Sequence, residues 1–245
     1  MAVRRVAASV LVAALAAAGC SSARAAPAHI AETFIGPDGL IAAEGTPGDD
    51  DTNWDVTSGS LFRTAGTGWT GHPDAGDFPG ATGSAVFRMV SRNRGFGDLD
   101  MSVTLRVDAL VETPRTPAQD YDGAHLWVRY RSDRELYAIS VDRRDATMII
   151  KKKCPGGDEN GGTYYDLSPS TPDAPIPQGQ WQHVTVSVRD LPDGTVHIAA
   201  VRDGIPVEAI DSGVGCPALR GEGGVGVRAD NAELRLAGVI VDQRG

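Results

Sequence analysis

The stretch Leu99-Asp100-Met101-Ser102-Val103-Thr104-Leu105-Arg106-Val107-Asp108-Ala109 decides the fold. Leu99, Met101, Val103, Leu105, Val107 and Ala109 recur with a period of two, and polar residues fill every position between them. Successive side chains of a strand point to opposite faces, so the pattern predicts a half-buried antiparallel strand with one apolar and one wet side. Val184, Val186 and Val188 alternate with Thr185 and Ser187 in the same way. Further strands are predicted at 84–90, 125–131, 136–143, 147–153, 196–202, 206–211, 225–229 and 232–241. Pro192-Asp193-Gly194 and Asp203-Gly204 read as hairpin turns. Many short strands at close spacing predict an all-β sandwich or jelly roll of antiparallel sheets, rather than a parallel sheet, in a single domain. Longer irregular stretches at 36–53, 66–83, 112–123 and 156–180 have the size of binding loops.

Composition narrows the function. The 245 residues carry 23 Lys+Arg against 32 Asp+Glu, a formal net charge of −9, with 41% hydrophobic residues. That balance excludes a disordered tail, and an acidic chain without a basic block argues against a nucleic-acid partner.

The N-terminus reads as an address. Arg4-Arg5 precedes an apolar run over 6–18 and the exit Gly19-Cys20, a secretory signal too short to span a bilayer as a mature helix. Ala17-Ala18-Gly19-Cys20 is similar to a bacterial lipobox, in which Cys20 would be lipidated. Ala23-Arg24-Ala25 offers an alternative cleavage that would release a secreted protein. The expected organisation is a signal peptide over 1–19, a tether over 20–31 and the jelly-roll domain over 32–245. The expected location is the extracellular face of the cell membrane, with contact to lipid only through the anchor. Of three cysteines, Cys154 and Cys216 remain to pair, and both sit in turn-like Gly/Pro contexts. Their bridge would close a loop of about 60 residues, on the order of 3–4 kcal/mol in the chain-entropy model. No C-x-x-C motif or histidine at ligand spacing points to a metal at either cysteine.

Several motifs then point to a family. Trp54 to Phe62, Gly179-Gln180-Trp181-Gln182-His183-Val184, Gly224-Val225-Gly226-Val227-Arg228 and Leu234 to Val239 together resemble the concanavalin A-like lectin/glucanase superfamily, laminin G-like modules included. The likeness runs from Phe34 to Val241 and is closest to a group of actinobacterial secreted proteins of unknown activity. It implies a concave sheet that binds glycans, in some members with catalysis. The laminarinase-type E-x-D-x-(x)-E pattern, which places two carboxylates on one strand face, does not occur; Asp98-Leu99-Asp100 lacks the flanking glutamates.

The residues themselves propose a ligand face. On the strand at 125–131, His125, Trp127, Arg129 and Arg131 share one side, while Leu126, Val128 and Tyr130 share the core side. An indole stacks on the apolar face of a pyranose, and flanking cations hold its hydroxyls or carboxylate. Lys151 and Lys153 point one way and Lys152 the other; Lys at a sheet edge also guards against aggregation. Tyr164 and Tyr165 follow, one facing the groove and one the core, with Tyr165 taken for the groove. The expected site is therefore Trp127, His125, Arg129, Lys151, Lys153 and Tyr165, binding a polysaccharide or cell-wall glycan without catalysis. A polysaccharide lyase or a glycoside hydrolase could use the same groove, the lyase ahead of a laminarinase-type hydrolase, with Tyr165 or His125 taking a proton beside Arg129 and Lys151. A protein-interaction module is a further alternative. Trp69, in Gly66-Thr67-Gly68-Trp69-Thr70-Gly71, is read as a rim platform or as a plug over one end of the sandwich. His183 reads as structural. No cofactor is expected, except that Asp49-Asp50-Asp51 could contribute to a calcium site.

Overall fold

Alternation in sequence becomes alternation in burial: from Leu99 to Val107 every odd-numbered side chain is buried and every even-numbered one half-exposed. The computed structural model describes residues 28–45, 53–74 and 84–244. The signal segment, Cys20, the alternative cleavage site and Asp49–Asp51 lie outside these residues. Among the described residues there is no helix.

The strands are β1 (His29–Glu32), β2 (Gly39–Ala43), β3 (Trp54–Ser58), β4 (Ser60–Thr64), β5 (Thr67–Trp69), β6 (Val86–Ser91), β7 (Leu99–Leu110) and β8 (Gly123–Ser132). They continue with β9 (Glu135–Ser140), β10 (Ile149–Glu159), β11 (Gly162–Asp166), β12 (Gln182–Asp190), β13 (Val196–Arg202), β14 (Ile205–Asp211), β15 (Gly224–Asp230) and β16 (Ala232–Gln243). One sheet of nine strands runs β14-β13-β12-β7-β16-β5-β4-β2, with β1 also paired to β16. The other, of seven, runs β11-β10-β9-β8-β15-β6-β3. The expected jelly-roll sandwich is what the chain forms.

Short strands account for most of the differences from the sequence reading. β1 falls at the end of the expected tether, and β2 and β5 fall within stretches read as loops. β10 runs on to Glu159 and turns back into β11 inside the stretch at 156–180 that was read as irregular. Asn160 and Gly161 make that turn with φ of 53° and 75°. Two consecutive positive φ values are what a two-residue hairpin with matching twist requires, and Asn-Gly is its strongest sequence signal.

Between the sheets lies an apolar layer that includes Trp54, Phe87, Met89, Leu126, Ile139, Ile150 and the inward side of β7. Three charged groups also cross this layer. Lys152 on β10 reaches Asp211 on β14 at 2.8 Å, and both side chains are fully buried. Arg202 on β13 pairs with Asp142, which also accepts from Gln182 at 2.9 Å. Arg129 on β8 meets Asp98 at 3.0 Å and Asp190 at 3.1 Å. Each pair links one sheet to the other, so each specifies how the two layers align. The Cys154–Cys216 disulfide does the same covalently, joining β10 to the loop after β14 with its Cα atoms 5.9 Å apart.

Candidate functional site

The outer face of the seven-stranded sheet is built in rows of register partners. Arg88, Arg228, His125 and Ser140 form the first row, across β6, β15, β8 and β9. Val90, Gly226, Trp127, Ala138, Lys151 and Asp166 form the second. Leu136, Lys153 and Tyr164 form part of a third. Gly226 is needed beside Trp127. A Cβ there would come within 3.2 Å of the indole and 2.7 Å of the Met89 carbonyl, so the missing side chain is what lets the ring lie on the sheet.

A pocket of about 340 Å³ opens on this face, within the range of small-molecule sites. Its floor comes from Trp127, Ala138 and Ser140, and its walls from His125, Lys151, Tyr164 and Arg228. Tyr121, from the loop before β8, stands at the rim with 46% of its surface exposed. Asp158, Glu159 and Asn160, exposed on the β10–β11 hairpin, also line the pocket.

The polar groups are tied together. Arg228 Nη2 donates to Asp230 at 2.7 Å, and Arg228 Nε lies 2.6 Å from the other carboxylate oxygen. His125 Nε2 is 3.2 Å from Asp230 Oδ2, while its Nδ1 is 2.8 Å from Ser140 Oγ. Burial pushes the Asp230 carboxyl up, but Arg228 and His125 outweigh it and hold the group well below the usual carboxylate range. Burial likewise opposes the charge on Arg228, and Asp230 more than restores it. Arg228 Nη1 also donates to the Tyr164 hydroxyl at 3.3 Å, and burial pushes that phenol up. The result is a rigid, ionised anchor surrounded by donors.

The structure brings His125, Trp127 and Lys151 to one pocket, as the alternation implied. It places the other expected residues differently. Arg129 has φ of 50° and sits in a β-bulge between Val128 and Ser132. The extra residue breaks the alternation, so Arg129 turns into the layer between the sheets and is fully buried on Asp98 and Asp190. The same shift carries Tyr130, expected in the core, onto the outer face, where it stacks on Trp127 with centroids 5.6 Å apart. Trp127 is thus no open platform: it is only 3% exposed, and one ring face is already used. Lys153 does share the Lys151 face, but its Nζ bends away to donate to the Asp133 carbonyl at 2.7 Å, and it lies 5.2 Å from the Tyr164 ring. Tyr165 pairs with Lys152 and therefore faces the other side, its ring packed against the Gly215 backbone. Tyr164 is the tyrosine in the pocket.

Trp69 is neither rim nor plug. It lies on the outer face of the nine-stranded sheet, donating from Nε1 to Glu233 at 2.9 Å with Arg235 5.1 Å from its ring. His183 is exposed on the same sheet, remote from the pocket. Arg131 is paired with Glu135 at 3.2 Å. The sequence reading missed Tyr121, Arg228 and Asp230. Gly226, Arg228 and Asp230 alternate outward along β15, a signal present in the sequence but absorbed into the fold signature. Among the described residues no cluster of three or more His, Cys, Asp or Glu could hold a metal ion.

No family model matches the chain, and no curated protein does. Solved structures do. β-Agarase B from Zobellia galactanivorans is 10% identical with a TM-score of 0.56, over 90% of this chain and 96% of that one. A protein of unknown function with a galectin-like fold from Bacillus subtilis is 12% identical with a TM-score of 0.52, over 78% and 89%. The Emp46p carbohydrate recognition domain is 8% identical with a TM-score of 0.53, over 82% and 95%. This chain has the concanavalin A-like lectin/glucanase fold.

Proposed function

We propose that this protein is an exported, lipid-anchored glycan-binding sandwich that acts without catalysis and holds its ligand in the pocket on the seven-stranded sheet. The observation that carries the reading is Tyr121, an accessible aromatic ring at the rim of a pocket walled by Lys151, His125 and Arg228. An open ring for the apolar face of a sugar, beside the Lys151 ammonium and its partner Asp166 at 3.2 Å for the hydroxyls, is the chemistry that carbohydrate recognition needs. The likeness in fold to an agarase and to a carbohydrate recognition domain supports it. A lyase would need a tyrosine or histidine that takes a proton. Tyr165 faces away, the Tyr164 phenol is pushed up by burial, and His125 is tied to Asp230 and Ser140.

The test is a glycan array on the full chain, with and without calcium, whose positive wells are read for unsaturated or reducing-end products. Binding without turnover is expected, and Tyr121→Ala should weaken it by about tenfold or more, the loss of one aromatic anchor. Turnover, or silence across the array, would overturn the reading. Trp127→Ala is a poorer probe, because it empties the apolar cluster of Val90, Tyr130, Leu136 and Ala138 around it. The anchor is tested separately: Cys20→Ala should move the protein from the membrane fraction to the medium, and unchanged membrane retention would overturn that part.

A further inference from the structure

Around the Gly224–Arg228 stretch of β15, buried donors outnumber acceptors. Arg88 and Arg228 are register partners on β6 and β15, so two guanidinium side chains start side by side on the outer face. Like charges directly opposite in a sheet repel. Arg228 is compensated by Asp230. Arg88 is half-buried, no carboxylate among the described residues forms an ion pair with it, and its Nε is shut off from water without an acceptor. Burial and the neighbouring Arg228 both hold its guanidinium below the ordinary value.

Two more donors share this condition. Trp127 Nε1 is buried with no acceptor among the described residues. So is Nη1 of Arg94, whose side chain folds across Gly224 and lies 4.8 Å from the Tyr130 ring. A buried donor without a partner loses its hydration and regains nothing, which is why native structures hold few of them. Arg94 is offset by Asp55 3.9 Å away and Arg228 by Asp230, so of the three guanidinium groups Arg88 is the one without a carboxylate partner among the described residues.

We propose that the ligand is an anionic sugar, with a carboxylate or sulfate group that seats by the Arg228 wall of the pocket and reaches Arg88, the register partner of Arg228 on the neighbouring strand. The proposal rests on the glycan-binding reading above and names the class of glycan. A planar guanidinium matches either oxyanion with paired N–H donors. Asp158 and Glu159 do not oppose it strongly, because they are exposed on the hairpin and screened by water. They favour instead an orientation with the anion toward β6 and neutral hydroxyls by the hairpin.

Isothermal titration of the full chain with oligogalacturonate, a sulfated carrageenan oligosaccharide and neutral agaro-oligosaccharide tests this. One of the anionic ligands should bind best, and which one separates carboxylate from sulfate. Its affinity should fall as salt rises. Arg88→Gln should weaken it by about 10–100-fold, and Arg88→Lys should restore part of the loss. If the neutral oligosaccharide binds equally well and Arg88→Gln changes nothing, the anionic class is overturned while glycan binding stands. If none of the three binds and the array is silent, both fail. Should Arg88→Gln not fold, salt dependence and the charged-against-neutral comparison on the unaltered chain decide the matter.

Discussion

Asp211→Ala is expected to destabilise the protein by about 3–5 kcal/mol, the cost of leaving one member of a buried ion pair alone. Its carboxylate holds more than Lys152. Lys152 Nζ donates to both oxygens at 2.9 and 2.8 Å, the Tyr137 hydroxyl donates to Oδ2 at 2.7 Å, and the Gly213 N–H donates to Oδ1 at 2.9 Å. Burial and the adjacent carboxylate push the Tyr137 phenol far up, so it stays a donor at any ordinary pH. Truncation strands all of these donors in an apolar layer. For a chain of this size the loss corresponds to a fall in Tm of about 6–20 °C. Pairing Lys152→Met with Asp211→Leu should recover much of it, because removing both charges removes the uncompensated one. Thermal and urea melts of the two variants decide the matter. A loss below about 1 kcal/mol for Asp211→Ala would mean that water reaches the pair.

Reduction of Cys154–Cys216 should be the next largest effect. The bridge spans 62 residues and ties β10 of one sheet to the loop after β14 of the other. Cutting it should cost about 3–4 kcal/mol on the chain-entropy model, or about 6–15 °C in Tm. Melts with and without reductant, repeated on Cys154→Ala with Cys216→Ala, measure this, and an unchanged melt would refute it. Lys152 Nζ also donates to the Cys216 carbonyl at 2.6 Å. The disulfide and the ion pair therefore share a partner, and their losses should not add.

The same region shows what could be read in advance. Cys154 and Cys216 were the two cysteines left once Cys20 was set aside, and export made their pairing natural. Lys152 was expected on the face opposite Lys151, and alternation alone puts it there. Its carboxylate partner was not legible, because Asp211 lies on a strand of the other sheet. The pocket divides in the same way. His125, Trp127 and Lys151 follow from the period of their own strands. Arg129 and Tyr130 were exchanged between faces because one left-handed residue resets the period, and nothing in the local sequence forces an arginine into that conformation. Tyr164 and Tyr165 were confused because two adjacent strand residues always face opposite ways, and only the pairing with β10 says which is which.

The sequence by itself determined the longer strands, their apolar faces up to the bulge in β8, the sandwich class and the available disulfide, since each depends on local periodicity or on simple counting. The tertiary structure alone decided which polar residues meet: Arg228 with Asp230 and His125, Lys152 with Asp211, Arg129 with Asp98 and Asp190. Such meetings depend on strand order, on register and on bulges. These are set by the summed packing of two sheets, to which no single segment holds the key.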